Sequence, residues 1–151
     1  MAFLFKIILD YPTLEEETQI LDRYKNSNKS PDLMSIVASM NSEDILKIQE
    51  IISEIKIEEN LLLYIAKITH STRNHGKLYL GASPRATLSM AKAAKAMAAI
   101  RGRDFITPDD IQSIAHHVLN HRIILTPEAE MEGLSTKEIV DEIIHKIEVP
   151  R

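Results

Sequence analysis

The sequence predicts an all-α fold, a helical bundle preceded by one short N-terminal strand. Three observations carry that expectation. Gly occurs four times and Trp not at all, while Ile, Leu, Ala, Lys and Glu are plentiful, a composition that favours helix. Ser or Thr stands directly before proline at Ser83-Pro84 and Thr107-Pro108, the cap-then-proline order of a helix start. Several stretches repeat apolar residues at three- and four-residue spacing, as at Ile45, Ile48, Ile51, Ile52 and Ile55, which puts them on one helical face.

Phe3 to Leu9 is a continuous apolar run ended by Asp10-Tyr11-Pro12, and it reads as the one convincing strand. A lone strand leaves its backbone polar groups without partners. The run is therefore expected to be disordered, to pack against the helices, or to pair with a second copy. Thr13 caps a helix to about Lys25, with Glu15, Glu16 and Glu17 in the first turn, where the helix dipole favours acids. Asn26 to Pro31 is a polar linker and marks the expected domain boundary. A short helix is expected over Asp32 to Met40, another from Ser42, and a third from Glu58 to about Asn74 with Leu61, Leu62, Ile65, Ile68 and Thr69 along its stripe. Lys77 to Gly81 reads as a brief extended segment. The helix from Pro84 to about Arg101 holds seven alanines, and small side chains let neighbouring helices come close, so it is expected at the centre. Thr107 caps a helix to Asn120, Ile123 to Leu125 reads as extended, and Ser135 caps a last helix with Ile139, Ile143 and Ile147 on one face.

The length of 151 residues suits one domain with an appended piece. Cysteine is absent, which excludes disulfides, thiolate metal sites and cysteine nucleophiles. No apolar run approaches the roughly 20 residues of a membrane span, and the opening lacks the pattern of a signal peptide, so a cytoplasmic location is expected. The net charge is −4 but unevenly spread: Asn60 to Arg103 contains no acid and eight cations, leaving −12 on the remainder. Such asymmetry points to an anionic ligand or an acidic partner, or is a chance run along a solvated face.

A complete catalytic apparatus is missing. Gly76-Lys77 is followed by Leu78, not by the Ser or Thr that closes a phosphate-binding loop. No apolar run ends in adjacent Asp and Glu that would hold magnesium. His117 and His121 have the spacing of a metal pair, but position 118 is Val and no third ligand is evident, so the two read as ordinary histidines. Arg85 draws attention because a cation in the first turn of a helix opposes the dipole, whereas an anion is welcome there. Ser89 and Lys92 follow it at helical spacing. Two readings stand: Arg85 awaits a phosphate or carboxylate, or it lies on the surface at a cost of about 0.3–1 kcal/mol.

Gly81-Ala82-Ser83-Pro84-Arg85-Ala86 before an alanine-rich helix, Arg101-Gly102-Arg103-Asp104, Thr107-Pro108-Asp109-Asp110 and His121-Arg122-Ile123 closely resemble, in order and spacing, the lid of MoxR-type AAA+ ATPases. Phe3-Leu4-Phe5-Lys6 with Tyr11-Pro12, and the ending Val149-Pro150-Arg151, extend the likeness over nearly the whole chain. The resemblance implies that residues 1–30 are the last strand and linker helix of an α/β ATPase core and residues 31–151 the helical lid. It implies that Arg85 is the sensor-2 residue, reaching the phosphates of ATP bound to the core, with Ser83, Ser89 and Lys92 beside it as nucleotide-binding residues. The phosphate loop and magnesium ligands would belong to a core that precedes position 1. The family usually shows Leu-Asp-Arg-Phe where Met1-Ala2-Phe3 stands here, and that arginine acts on a neighbouring subunit's ATP. The chain is thus expected to be a fragment, inactive and without bound nucleotide on its own. In the intact protein the family implies a homo-oligomeric ring, a hexamer, with chaperone-like work on other proteins and a von Willebrand factor A domain partner, and no nucleic acid. The alternatives are a nucleic-acid-binding module or a protein-docking module using the acid-free segment 60–103.

Overall fold

The computed structural model describes residues 3–25 and 36–150. Seven helices are found among them: α1 (Leu14–Tyr24), α2 (Ser42–Glu54), α3 (Glu59–Arg73), α4 (Pro84–Ile100), α5 (Pro108–Leu119), α6 (Pro127–Met131) and α7 (Thr136–Lys146). Two short strands, β1 (Leu78–Leu80) and β2 (Ile124–Leu125), pair antiparallel, with Leu78 opposite Leu125, Leu80 opposite Ile124 and an irregularity between. The fold is therefore helical with one small sheet. The chain forms two compact units, Met1–Lys6 with Lys47–Arg151, and Ile7–Leu46.

In the larger unit α3 and α5 each pack against both α4 and α7. The buried face of α3 is Leu61, Tyr64, Ile65, Ile68, Thr69 and Thr72; Leu62, expected on that stripe, is exposed. Ala86, Met90, Ala93, Ala94 and Ala98 of α4 are buried, and the small volumes of the alanines admit Ile111, Ile114, Ala115, Val118 and Leu119 of α5. Ile139, Val140, Ile143 and Ile144 of α7 complete the core. Helix starts follow the caps: Thr107 with Asp110 and Ser135 with Glu138 both form capping boxes. Gly102 and Gly133 end α4 and α6 at positive φ, 70° and 76°. The Arg103 N–H then reaches back to the Ala98 carbonyl and that of Leu134 to Ala129, closing Schellman turns.

In the smaller unit Thr13 and Glu16 box the start of α1, as the acidic first turn predicts. α2, which begins in this unit, is capped by the Asn41 side chain, bonded to the Asp44 N–H at 3.0 Å.

Three expectations need correction. Phe3 to Leu9 forms no strand, since among the described residues no strand pairs with it; instead the Lys6 N–H donates to the His117 carbonyl at 2.9 Å and Phe5 meets the His117 ring edge-on. Of the three fates foreseen for the run, residues 3–6 take packing against the helices. The helix expected over Asp32 to Met40 is not formed at residues 36–40; its first four residues, like the linker Asn26 to Pro31, lie outside the described residues. The stripe of α2 is not fully buried: Ile45, Ile48 and Ile51 are exposed, Ile52 is half-buried, and full burial is reached only at Ile55, beyond the helix end.

Candidate functional site

The site is built where β1 runs into α4. Gly81 lies so close to α3 that an added Cβ would stand 2.5 Å from the Cα of Arg73 and 2.6 Å from the Thr72 carbonyl oxygen, so only glycine fits. The next residue, Ala82, is fully buried. Its N–H donates to Thr72 Oγ1 at 2.9 Å and its carbonyl accepts from Arg73 Nε at 2.7 Å. Both backbone groups of Ala82 are thus tied to the end of α3, which fixes the direction in which Ser83, Pro84 and Arg85 leave. Pro84 opens the helix with its φ already set.

The start of α4 differs chemically from the boxed starts of α5 and α7. Ser83 occupies the N-cap position without a side-chain bond, and no acid lies in the first turn. Its N-terminal N–H groups therefore keep their attraction for an anion. Arg85 is exposed there.

The antiparallel pairing brings a second group of residues to the same place. Because Leu80 faces Ile124, the residues that follow β1 neighbour those that precede β2. The result is a cavity of about 380 Å³ lined by Leu80, Gly81, Ser83, Arg85, His121, Arg122 and Ile124. It contains two guanidinium groups and no carboxylate. Burial, joined by the positive charge of Arg85, lowers the pKa of Arg122 from its ordinary value. Two cations without a lining acid repel one another, and an anion between them relieves that repulsion. Arg122 Nη2 donates to the Phe3 carbonyl at 2.8 Å and His121 Nε2 lies 3.1 Å from the same oxygen.

Of the four residues singled out in the sequence, the cavity unites Ser83 and Arg85. Ser89 is nearly buried and its hydroxyl donates to the Arg85 carbonyl at 2.9 Å, and neither it nor Lys92 lines the cavity. Beside His117 and His121, as elsewhere among the described residues, no three His, Cys, Asp or Glu side chains gather as ligands. Arg122 escaped the residue-by-residue reading. Its signal lay in the two extended segments, Lys77 to Gly81 and Ile123 to Leu125, whose pairing would have placed it.

The acid-free segment does not present all its cations outward. Arg101 and Arg103 bind Asp110, Arg73 binds Ala82, and Lys95 donates to the Ser53 carbonyl. Asp110 is fully buried. Burial pushes its carboxyl pKa up, but the Arg103 hydrogen bonds, the Thr107 N–H and hydroxyl, and the Arg103 charge outweigh this, so the net shift is downward. A larger groove of about 830 Å³ runs along α3 and the start of α4. Leu63, Ala66, Pro84, Leu88 and Ile147 make it largely apolar and Glu148 stands with Lys67 in its wall, so it lacks the single-signed charge of the smaller cavity.

Comparison with known proteins agrees with this geometry. Residues 70–143, which include β1, α4, α5, β2 and the cavity, match the AAA lid domain model. YeaC of Bacillus subtilis, an uncharacterized protein, is 36% identical over 98% of this chain and 45% of its own length. The chaperone MoxR1 of Mycobacterium tuberculosis is 31% identical over 99% of this chain and 41% of its own. A crystal structure of a candidate ATPase from Cytophaga hutchinsonii superimposes with a TM-score of 0.86 at 34% identity, covering 99% of this chain and 47% of that one. The chain spans under half the length of each of these relatives. Residues 70–143 form an AAA lid domain, and the chain belongs with the lid portions of the MoxR-type AAA+ proteins.

Proposed function

We propose that this chain is the lid of a MoxR-like AAA+ ATPase, that it closes over ATP held by an ATPase core, and that it places Arg85 against the phosphates as the sensor-2 residue. The observation that carries this reading is the cavity itself: Arg85 beside Arg122, at a helix start with no acid in its first turn and no carboxylate in the lining. Charge that develops on phosphate oxygens during transfer is stabilised by donors fixed in advance. The tether of Gly81 and Ala82 to α3 supplies that fixity. Ser83 lies within reach of the same anion, while Ser89 and Lys92 act through the helix that bears Arg85. The phosphate loop and the magnesium ligands are supplied by the core.

In the assembled protein the lid joins its own core and those of neighbouring subunits in a ring, a hexamer by the family's habit. ATP turnover then drives chaperone-like remodelling of other proteins, with a von Willebrand factor A domain protein as the expected partner. The work is assigned to the cytoplasm; no described helix is long and apolar enough to cross a membrane.

Turnover measurements test the reading. In a protein joining a MoxR-type core to residues 1–151, Arg85→Ala is expected to lower ATP hydrolysis about a hundredfold, the loss typical of a removed charge-stabilising donor. Unchanged turnover removes Arg85 from the mechanism. The 151-residue chain alone is expected to hydrolyse no ATP, and measurable turnover by it contradicts the assignment.

A further inference from the structure

The guanidinium of Arg122 is half-buried, close to another cation, and bonded to the chain through only part of its donor set. Nη2 donates to the Phe3 carbonyl, and Nε points to His121 Nε2 at 3.3 Å. A guanidinium carries five N–H donors in a planar fork. Among the described residues the Nη1 donors have no partner in the chain, and no carboxylate pairs with either Arg122 or Arg85. A side chain needed only to hold the Phe3 carbonyl would not require a full charge held near Arg85.

We propose that Arg122 is a second phosphate-binding residue, so that the cavity takes a chain of linked phosphates between two arginines. The inference rests on the reading of Arg85 given above and adds a partner that the reading does not need. Its chemistry is that of an oligophosphate. Two forks lining one cavity suit an anion with charge on successive phosphoryl groups, and each fork can bind two oxygens at once. A single carboxylate would answer one arginine and leave the other uncompensated. The β1–β2 pairing brings the backbone segments that carry the two arginines together before any ligand arrives, so little backbone reorganisation opposes binding.

The test is a titration of the 151-residue chain with sodium tripolyphosphate, followed by NMR of the arginine Nε–H resonances and repeated at raised salt. Saturable binding that moves both the Arg85 and the Arg122 signals and weakens with salt is expected. Arg85→Ala and Arg122→Ala should each weaken it about tenfold, the loss of one charged hydrogen bond. Arg122→Gln keeps a donor for the Phe3 carbonyl and removes the charge; it should lose affinity equally, and it serves if the alanine variant does not fold. Full affinity in Arg122→Gln, or an Arg122 signal that stays still while that of Arg85 moves, overturns the proposal and leaves the role of Arg85 intact. Absence of saturable binding in the wild-type chain also overturns it, whereas the sensor assignment is judged separately by turnover.

Discussion

Arg103 grips Asp110 with both arms of its guanidinium, Nη2 to Oδ1 at 2.6 Å and Nη1 to Oδ2 at 2.8 Å. The same carboxylate accepts from Arg101 Nη1 at 2.8 Å and caps α5 through the Thr107 N–H and hydroxyl. One buried anion thus joins the end of α4 to the start of α5. Asp110→Ala removes the ion pairs and the cap together and is expected to cost about 3 kcal/mol in a denaturant titration. Arg103→Ala should destabilise more than Arg101→Ala, because Arg101 supplies a single bond and is the more exposed of the two.

The downward shift of the Asp110 pKa fixes the sign of a pH effect. A carboxyl whose folded pKa is depressed contributes stability above its unfolded value, about 3.9, and loses it as pH falls through the folded one. Thermal melts of wild type and Asp110→Asn should therefore differ by a constant margin from pH 5 to 7, and the margin should shrink below about pH 4. A margin that grows on acidification would contradict the assignment. Glu16, Glu138 and Glu142 are also shifted down, but they are common to both proteins and cancel in the comparison.

Gly81→Ala must move backbone, because the new Cβ would overlap Arg73 and Thr72 main-chain atoms. A loss of about 1–3 kcal/mol is expected, in the range of overpacked cores. Gly76→Ala is the control: nothing lies within 4 Å of its Cβ position and its φ is not positive. That change should be neutral or should stabilise by up to about 1 kcal/mol through the unfolded chain.

Thr72→Val keeps the shape of a buried side chain and deletes the oxygen that accepts from the Ala82 N–H. The orphaned donor should cost about 1–3 kcal/mol. Amide hydrogen exchange at Ala82 should rise beyond the global change, since the bond that protects it is gone. Unaltered exchange there would show that the tether between α3 and α4 does not depend on Thr72.

The helices were legible because their starts are written locally. Thr13, Ser83, Thr107 and Ser135 all occupy N-cap positions, and α6 follows the same rule at Thr126-Pro127 although it is short enough to pass for a turn. The apolar run Phe3 to Leu9 misled because hydrophobicity alone does not create a pairing edge, and Ile7, Ile8 and Leu9 stay exposed. The α2 stripe misled for the same reason: periodicity states which residues share a face, not what covers it. Half of the cavity was legible, since Arg85 announces itself against the helix dipole. Arg122 was not, because its nearness to Arg85 depends on two short strands meeting across the intervening α4 and α5, a relationship no local spacing records.

α4 is anchored at both ends by different chemistry, a glycine contact and two hydrogen bonds at one, a buried ionic knot at the other. With 17 residues it is a rod of about 25 Å at 1.5 Å per residue. The arginine tip and the buried Asp110 carboxylate, in the first turn of α5, thus stand at opposite ends of one continuous helix held fast at each of them.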